Sequence, residues 1–159
     1  RLRAAQHLNA HVRLEFNIPG VTFGGRYDAS PLIVRDGTTP PVDTPNSYIP
    51  TARPGGRPPH AWLEDGSSLF DHFGFAWTLL VLGPKPPDAR DFADVADAHG
   101  LGLTVVRLEE SGLLALFEAP LVLIRPDQIV AWRGHDAAQA VAVLRQAGCL
   151  QTPPSNKYE

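Results

Sequence analysis

The chain has 159 residues and 17.2 kDa, enough for one domain with an appended arm, and at 43% apolar and 19% charged residues it can bury a core. Its net charge of −3 gives no electrostatic reason to bind nucleic acid, and no apolar run approaches the roughly 18 residues of a membrane span. The single cysteine, Cys149, excludes an internal disulfide framework and any CxxC pair, so a reducing, cytoplasmic setting is expected. There is no methionine and the first residue is Arg1, so the chain is expected to be a fragment of a longer polypeptide.

Leu2, Ala5, Leu8 and Val12 recur at helical spacing and predict a helix over residues 1–14. The alternation in Arg13-Leu-Glu-Phe-Asn-Ile predicts a short strand, ended by Pro19-Gly20. From there to Pro59 a loop is expected, with brief extended pieces near Thr22–Tyr27 and Leu32–Val34. Of the 16 prolines, 8 lie between Pro31 and Pro59, and 6 of the 14 glycines lie between Gly20 and Gly56, a density that rules out continuous helix or central strand. Residues 1–59 carry 7 basic and 4 acidic side chains, whereas residues 60–150 carry 6 and 12. The expected division is therefore a basic arm over 1–59, a regular domain over 60–150 and a tail over 151–159.

Within the domain, His60–Glu64 is predicted as a strand, Asp65-Gly66 as a turn, and Ser67 or Ser68 as the cap of a short helix through Phe73. Phe75–Leu82 reads as a buried strand between Gly74 and Gly83. Asp88 should cap a helix carrying Phe92, Val95, Ala96 and His99 and stopped by Gly100. Leu103–Leu108 should be the next strand, parallel to the first in a right-handed βαβ unit. Leu121–Arg125 and Ile129–Arg133 flank Pro126-Asp127-Gln128 as an antiparallel hairpin. Asp136 and Gln139 should open a last helix that buries Ala140, Val143, Leu144 and Ala147 and ends at Gly148.

This order, β, short α, β, α, β, β, β, α, implies an α/β mixed sheet flanked by helices, and it is the order of a thioredoxin-like fold. In that fold a proline, usually cis, precedes the final hairpin, and Pro120 stands in the matching place. Where the redox CxxC would lie, this chain has Gly83-Pro84-Lys85-Pro86-Pro87-Asp88, which supplies no thiolate.

Several clusters have the residue types of a site. His7 and His11 have metal-ligand spacing on a helix but no evident third ligand, so no metal site is assigned. Asp88, Asp91, Asp94 and Asp97 recur every three residues and read as a solvated acidic face. Asp65, Asp71 and His72 lack a nucleophile, and no catalytic residue is assigned. Trp62, Phe70, Phe73, Phe75 and Trp77 read as a core cluster, and Cys149 as a buried structural thiol.

Three segments carry a resemblance: Gly24-Gly25-Arg26-Tyr27-Asp28-Ala29-Ser30-Pro31, Pro54-Gly55-Gly56-Arg57-Pro58-Pro59-His60-Ala61-Trp62-Leu63, and Leu123-Ile124-Arg125-Pro126-Asp127-Gln128-Ile129-Val130-Ala131-Trp132-Arg133. With Asp65-Gly66-Ser67-Ser68-Leu69-Phe70-Asp71 and Phe73-Gly74 between them, the chain resembles the C-terminal thioredoxin-like region of FAD-dependent aromatic hydroxylases, the flavin monooxygenases of the p-hydroxybenzoate hydroxylase superfamily. The resemblance implies a parent that binds FAD and hydroxylates an aromatic ring with NAD(P)H and oxygen. It also implies that this region contacts the parent's flavin and substrate domains or supports a homodimer. The family's GxGxxG is missing here, so the region by itself should hold no cofactor and catalyse nothing. The family also has glycine where Gln128 stands, which predicts a different turn.

Arg53, Arg57 and His60 flank or follow Gly55-Gly56. They suit the pyrophosphate of a flavin on a neighbouring domain, or a carboxylate at a domain interface, and the interface is preferred. The rival reading is a redox-inactive thioredoxin-like module that captures a peptide near Pro120. A peroxidase-like use of Cys149 is disfavoured by its place after the last helix. An upstream GxGxxG would support the hydroxylase reading, and an initiator methionine just before Arg1 would support the module.

Overall fold

Trp77–Leu82 (β1) is buried along all six residues, because both faces of the sheet around it are covered. In the computed structural model, which describes residues 2–148 and Leu150, β1 is an inner strand of a four-stranded sheet. The chain runs from β1 through α3 (Arg90–Ala98), β2 (Leu103–Leu108), α4 (Ser111–Phe117), β3 (Leu121–Ile124) and β4 (Val130–Gly134) to α5 (Ala140–Gly148). Two helices come earlier, α1 (Leu2–Phe16) and α2 (Pro19–Phe23). The sheet order is β2-β1-β3-β4, with β1 parallel to β2 and the other pairs antiparallel. This is the thioredoxin-like arrangement expected from the element order.

Alternation along the strands divides the core into two layers. Trp77, Leu79, Val81, Leu121 and Leu123 face α3 and α5, where they meet Phe92, Val143 and Leu144. Leu80, Leu82, Val122, Ile124 and Val130 face the other way, toward Leu113 and Phe117 of α4, Leu69 and Ala52. All four residues expected to be buried on α5 are buried. Asp136 accepts from the Ala138 amide at the 3-10 turn that leads into α5, and Ser68 forms a capping box with Asp71 at another 3-10 turn, Leu69–His72.

Several local expectations fail. The helix α1 continues through Phe16, so Arg13–Ile18 forms no strand; Phe16 is exposed and no sheet lies beside it. The stretch 22–27 is likewise not extended at its start, because Pro19 occupies the first turn of α2, which runs to Phe23. Near Leu32–Val34 there is no strand, although the Val34 amide donates to Ala131 O of the sheet. His60–Glu64 makes a single bridge, Trp62 to Ser68, around the Asp65-Gly66 turn. The strand expected from Phe75 begins at Trp77, and Phe75 itself is fully exposed. Asp88 accepts from the Arg90 amide, but the first non-helical residue is Ala89.

The helix α4 was not expected from the sequence. Its apolar run is too short to separate helix from strand by period, and it ends on Glu118 (φ 58) instead of a glycine. That left-handed residue is held by its carboxylate, which accepts from Arg133 Nη1 at 2.7 Å. No peptide bond among the described residues is cis, so Pro120 lacks the expected isomer. Its carbonyl accepts from the Leu82 amide. Gln128 has φ 62, the left-handed conformation that glycine favours.

Replacing Gln128 with glycine should therefore raise stability by about 1 kcal/mol, since the cost of holding an L-residue left-handed disappears. Equilibrium urea unfolding would measure this, and a loss of stability would show that the 3.3 Å bond from Arg57 to Gln128 matters more than the backbone.

Candidate functional site

The arm reaches the domain along the open edge of β4. Gly55 N donates to Val130 O at 2.8 Å and Val130 N donates to Gly56 O at 3.0 Å, so Pro54-Gly55-Gly56 lies where a fifth strand would pair. Gly55 has φ 95, where an L side chain is strained, and a Cβ there would sit a tight 3.1 Å from Asp28 Oδ1.

Ion pairs fasten this covering. Arg53 Nη1 donates to Asp28 Oδ1 at 2.7 Å and its Nε donates to Thr38 O. Arg26 bridges Asp28 and Asp43. From β4 itself, Arg133 donates through Nε to Asp36 Oδ2 at 2.7 Å and through Nη1 to Phe117 O and Glu118. Burial works to raise the Asp28 pKa, but hydrogen bonds and charge from Arg26 and Arg53 outweigh it and leave the group below its ordinary value. At Asp36 burial is again opposed, by Thr38 and by Arg133, with the same net direction. The sequence reading missed Arg133, Asp36 and Asp28; an arginine inside the apolar strand Val130-Ala-Trp-Arg was the available signal, since a charge there needs partners.

The three expected site residues part company. Arg53 is turned inward to Asp28, with a side chain 11% exposed. Arg57 and His60 are exposed, and both rest against Phe70. The Arg57 guanidinium lies 5.0 Å from the Phe70 ring centre. The His60 ring stacks on Phe70 at 5.9 Å and lies edge-on to Trp62, with Nε2 3.1 Å from Ser68 Oγ. Phe23, Tyr48 and Asp71 complete an open concavity of about 610 Å³. Burial raises the Tyr48 pKa against the opposing charge of Arg57. An aromatic floor with a guanidinium and an imidazole at its rim suits a flat apolar surface bearing a carboxylate.

The other candidates are dispersed. His7 and His11 are exposed on α1, and no group of three metal-ligating side chains exists among the described residues. Ser67 Oγ lies between Asp65 Oδ1 at 2.6 Å and His72 Nε2 at 2.7 Å, which places the hydroxyl where a nucleophilic relay needs the imidazole. Asp71 serves the capping box. Asp91, Asp94 and Asp97 are exposed on α3, and Asp88 pairs with Arg90. The aromatic residues do not form one core cluster: Trp77 is buried under α3 and α5, Phe70 and Phe73 meet each other on the opposite face of the sheet, and Trp62 and Phe75 are exposed. Cys149 lies outside the described residues.

At the end where the fold's redox site would lie, Gly83, Pro84, Lys85, Leu114, Pro120 and His135 line a shallow groove of about 430 Å³. FAD does not fit this segment. A dinucleotide site offers consecutive amides at a helix N-terminus. Here Pro84, Pro86 and Pro87 have no amide hydrogen, and the Asp88 carboxylate already accepts from Arg90 N.

Fold and site thus define a thioredoxin-like α/β domain that carries prolines where a CxxC pair would lie, wrapped by a basic arm. The chain belongs to the aromatic-ring hydroxylase C-terminal family, which its residues 51–148 match. It is 38% identical over 136 residues to an FAD-dependent monooxygenase, opdD, of Penicillium oxalicum, covering 80% of this chain and 26% of that protein. With aklavinone 12-hydroxylase RdmE of Streptomyces purpurascens it shares 31% identity over 153 residues, covering 88% and 28%. Among solved structures, the rebeccamycin biosynthetic enzyme RebC with reduced flavin superposes with a TM-score of 0.75 at 32% identity, covering 92% of this chain and 27% of that one. The flavin-dependent monooxygenase PieE, in complex with FAD and substrate, gives 0.71 at 32% identity, covering 92% and 28%. The chain spans about a quarter of the length of the curated relatives it matches. No helix among the described residues is long and apolar enough to cross a membrane.

The depressed Asp28 and Asp36 carboxylates are more acidic folded than unfolded, so their contribution is complete above the unfolded value and is lost as pH falls through the lower folded values. Stability should thus decline below about pH 4. In the Asp36→Asn variant that decline should be shallower in urea unfolding series across the acid range. At neutral pH the same variant should lose about 2 kcal/mol, because Arg133, with a side chain only 7% exposed, keeps its charge and loses a charged partner.

Proposed function

We propose that this chain is the C-terminal structural domain of an FAD-dependent aromatic-ring hydroxylase. In that reading it occupies residues 60–150, with 1–59 as the linker arm and 151–159 as a tail. The parent inserts one oxygen atom of O₂ into an aromatic ring and reduces the other to water with electrons from NAD(P)H. FAD and the ring are held by flavin and substrate domains outside this chain, in a cytoplasmic enzyme. The observation that carries the proposal is the outward face of the arm. Phe16, Val21, Phe23, Tyr27 and Ile49 are between 48% and 76% exposed, on a segment that Tyr27 and Val34 tie to Gly55 and Ala131. Apolar side chains on an anchored surface call for a covering partner. Arg57 and His60 border this surface and would meet a carboxylate there.

Mixed with FAD, the 159-residue chain should remain colourless after gel filtration, and it should oxidise no NADPH and reduce no disulfide. Expressed with the preceding segment of its own gene, it should bind flavin and oxidise NAD(P)H in the presence of a phenolic or polycyclic aromatic compound. In the long form, amide exchange over residues 16–27 and 57–62 should slow relative to the short one. A long form that binds no flavin, or equal exchange in both, would defeat the proposal and favour the peptide-binding module, whose ligand would lie in the groove beside Pro120.

A further inference from the structure

Four arginines of the arm and the final hairpin, Arg26, Arg53, Arg125 and Arg133, are each paired with an aspartate. Arg57 is exposed and has no carboxylate partner among the described residues. Its guanidinium is nevertheless held in place. Gln128 Oε1 accepts from Nη2 at 3.3 Å, and the Phe70 ring supports the group from 5.0 Å. Most of its N–H donors are left for another acceptor. The concavity beside it has flat walls. Phe23 packs on Tyr48 at 5.8 Å, His60 stacks on Phe70 at 5.9 Å with the ring planes 17° apart, and all four side chains line the hollow. Charge in the lining is nearly balanced. Asp71 lies there with Arg57, its carboxylate accepting from the Ser68 amide, and no lysine joins them.

The geometry points to a small-molecule site: this concavity binds a planar aromatic monocarboxylate, with its carboxylate on Arg57 and its rings against Phe23, Tyr48 and Phe70. Two parallel N–H groups of a guanidinium match the two oxygens of a carboxylate, and Gln128 and Phe70 fix that fork before the ligand arrives. The volume of about 610 Å³ lies within the usual range of ligand pockets and exceeds the needs of one ring, so a fused ring system fits it best. Aromatic walls favour a flat ring over a puckered one of equal size. A single negative charge suits the lining, because a phosphate dianion would face Asp71 with one arginine to offset it. In the hydroxylase reading the ring to be oxidised is held by domains outside this chain, so this is a separate site. A covering domain would close its open side, and small ligands often bind at such junctions. The inference does not rest on that reading, since it uses only the concavity and its unpaired arginine.

The test titrates the 159-residue chain by amide NMR with 2-naphthoate, and separately with 2-naphthamide, cyclohexanecarboxylate and adenosine monophosphate. Saturable shifts should appear for 2-naphthoate around Tyr48, Arg57, His60, Phe70 and Gln128, with a Kd of about 1 mM or below. The uncharged amide and the non-aromatic acid should each bind about tenfold more weakly, and the nucleotide no more tightly than the naphthoate. Arg57 is exposed, so Arg57→Gln should fold normally. It should weaken 2-naphthoate about tenfold and remove the preference over 2-naphthamide, a ratio that a merely structural role would leave unchanged. Naphthoate shifts that fail to saturate or that centre on the groove beside Pro120 would overturn the inference. So would equal binding of the acid and its amide, tighter binding of the nucleotide, or an Arg57→Gln variant that keeps the preference. None of these outcomes bears on flavin binding by the longer form, which tests the hydroxylase reading separately.

Discussion

The pairing of Gly55 and Gly56 with Val130 is the contact on which the rest of the arm depends. A sheet edge carries a row of amides and carbonyls that must find partners in protein or water. On β4 those partners come from a proline- and glycine-rich segment that cannot form a strand of its own. Two backbone bonds fix the position of the turn, and the positive φ of Gly55 lets the Asp28 loop close over it. Once the turn is placed, Arg53 lies beside Asp28, and Arg57 leaves on the opposite side toward Phe70. The split between an inward and an outward arginine follows from that geometry.

Charge reinforces the same attachment. Arg133 stands on β4 with its side chain nearly buried, a costly place for a cation unless its donors are satisfied. Its partners come from two directions, Asp36 in the arm and the end of α4 at Phe117 and Glu118. One residue thereby ties the arm, the last strand and a helix terminus together. Glu118 gains a reason to hold a left-handed backbone that would otherwise belong to glycine. The arm is thus part of the packed unit despite its irregular backbone, and Ala52 shares an apolar cluster with Leu63, Leu80 and Val122.

The fold has kept the framework of a thioredoxin-like domain and filled its reactive end with proline. Prolines between β1 and α3 remove the amides that would hold a thiolate or a phosphate. In the proposed reading the ring chemistry lies outside this chain, and this domain offers surface. That surface is an anchored face of aromatic and basic side chains on the arm.

Local pattern alone determined the strands β1 to β4, the helices α3 and α5, the caps at Ser68 and Asp136, and the want of a redox pair. Each is written in residues close together in the chain: buried runs of fixed length, a 3.6-residue stripe such as Ala140-Val143-Leu144-Ala147, or a capping side chain two or three positions from its donor. The resemblance carried by the arm and hairpin motifs pointed to the hydroxylase family in the same way. The tertiary structure decided what depends on distant partners. The helix α4 ends on a left-handed Glu118 because Arg133, 15 residues later, receives its carboxylate. Arg53 is structural and Arg57 exposed because Asp28 and Phe70, remote in sequence, lie on opposite sides of one turn. Phe75 and Trp62 are exposed although their composition suits a core, because strand alternation starts only at Trp77 and because residues 60–64 have no sheet to join. A pairing between residues 97 apart, such as Arg133 with Asp36, leaves no periodic trace in the chain; it exists only once the backbone has brought the two together.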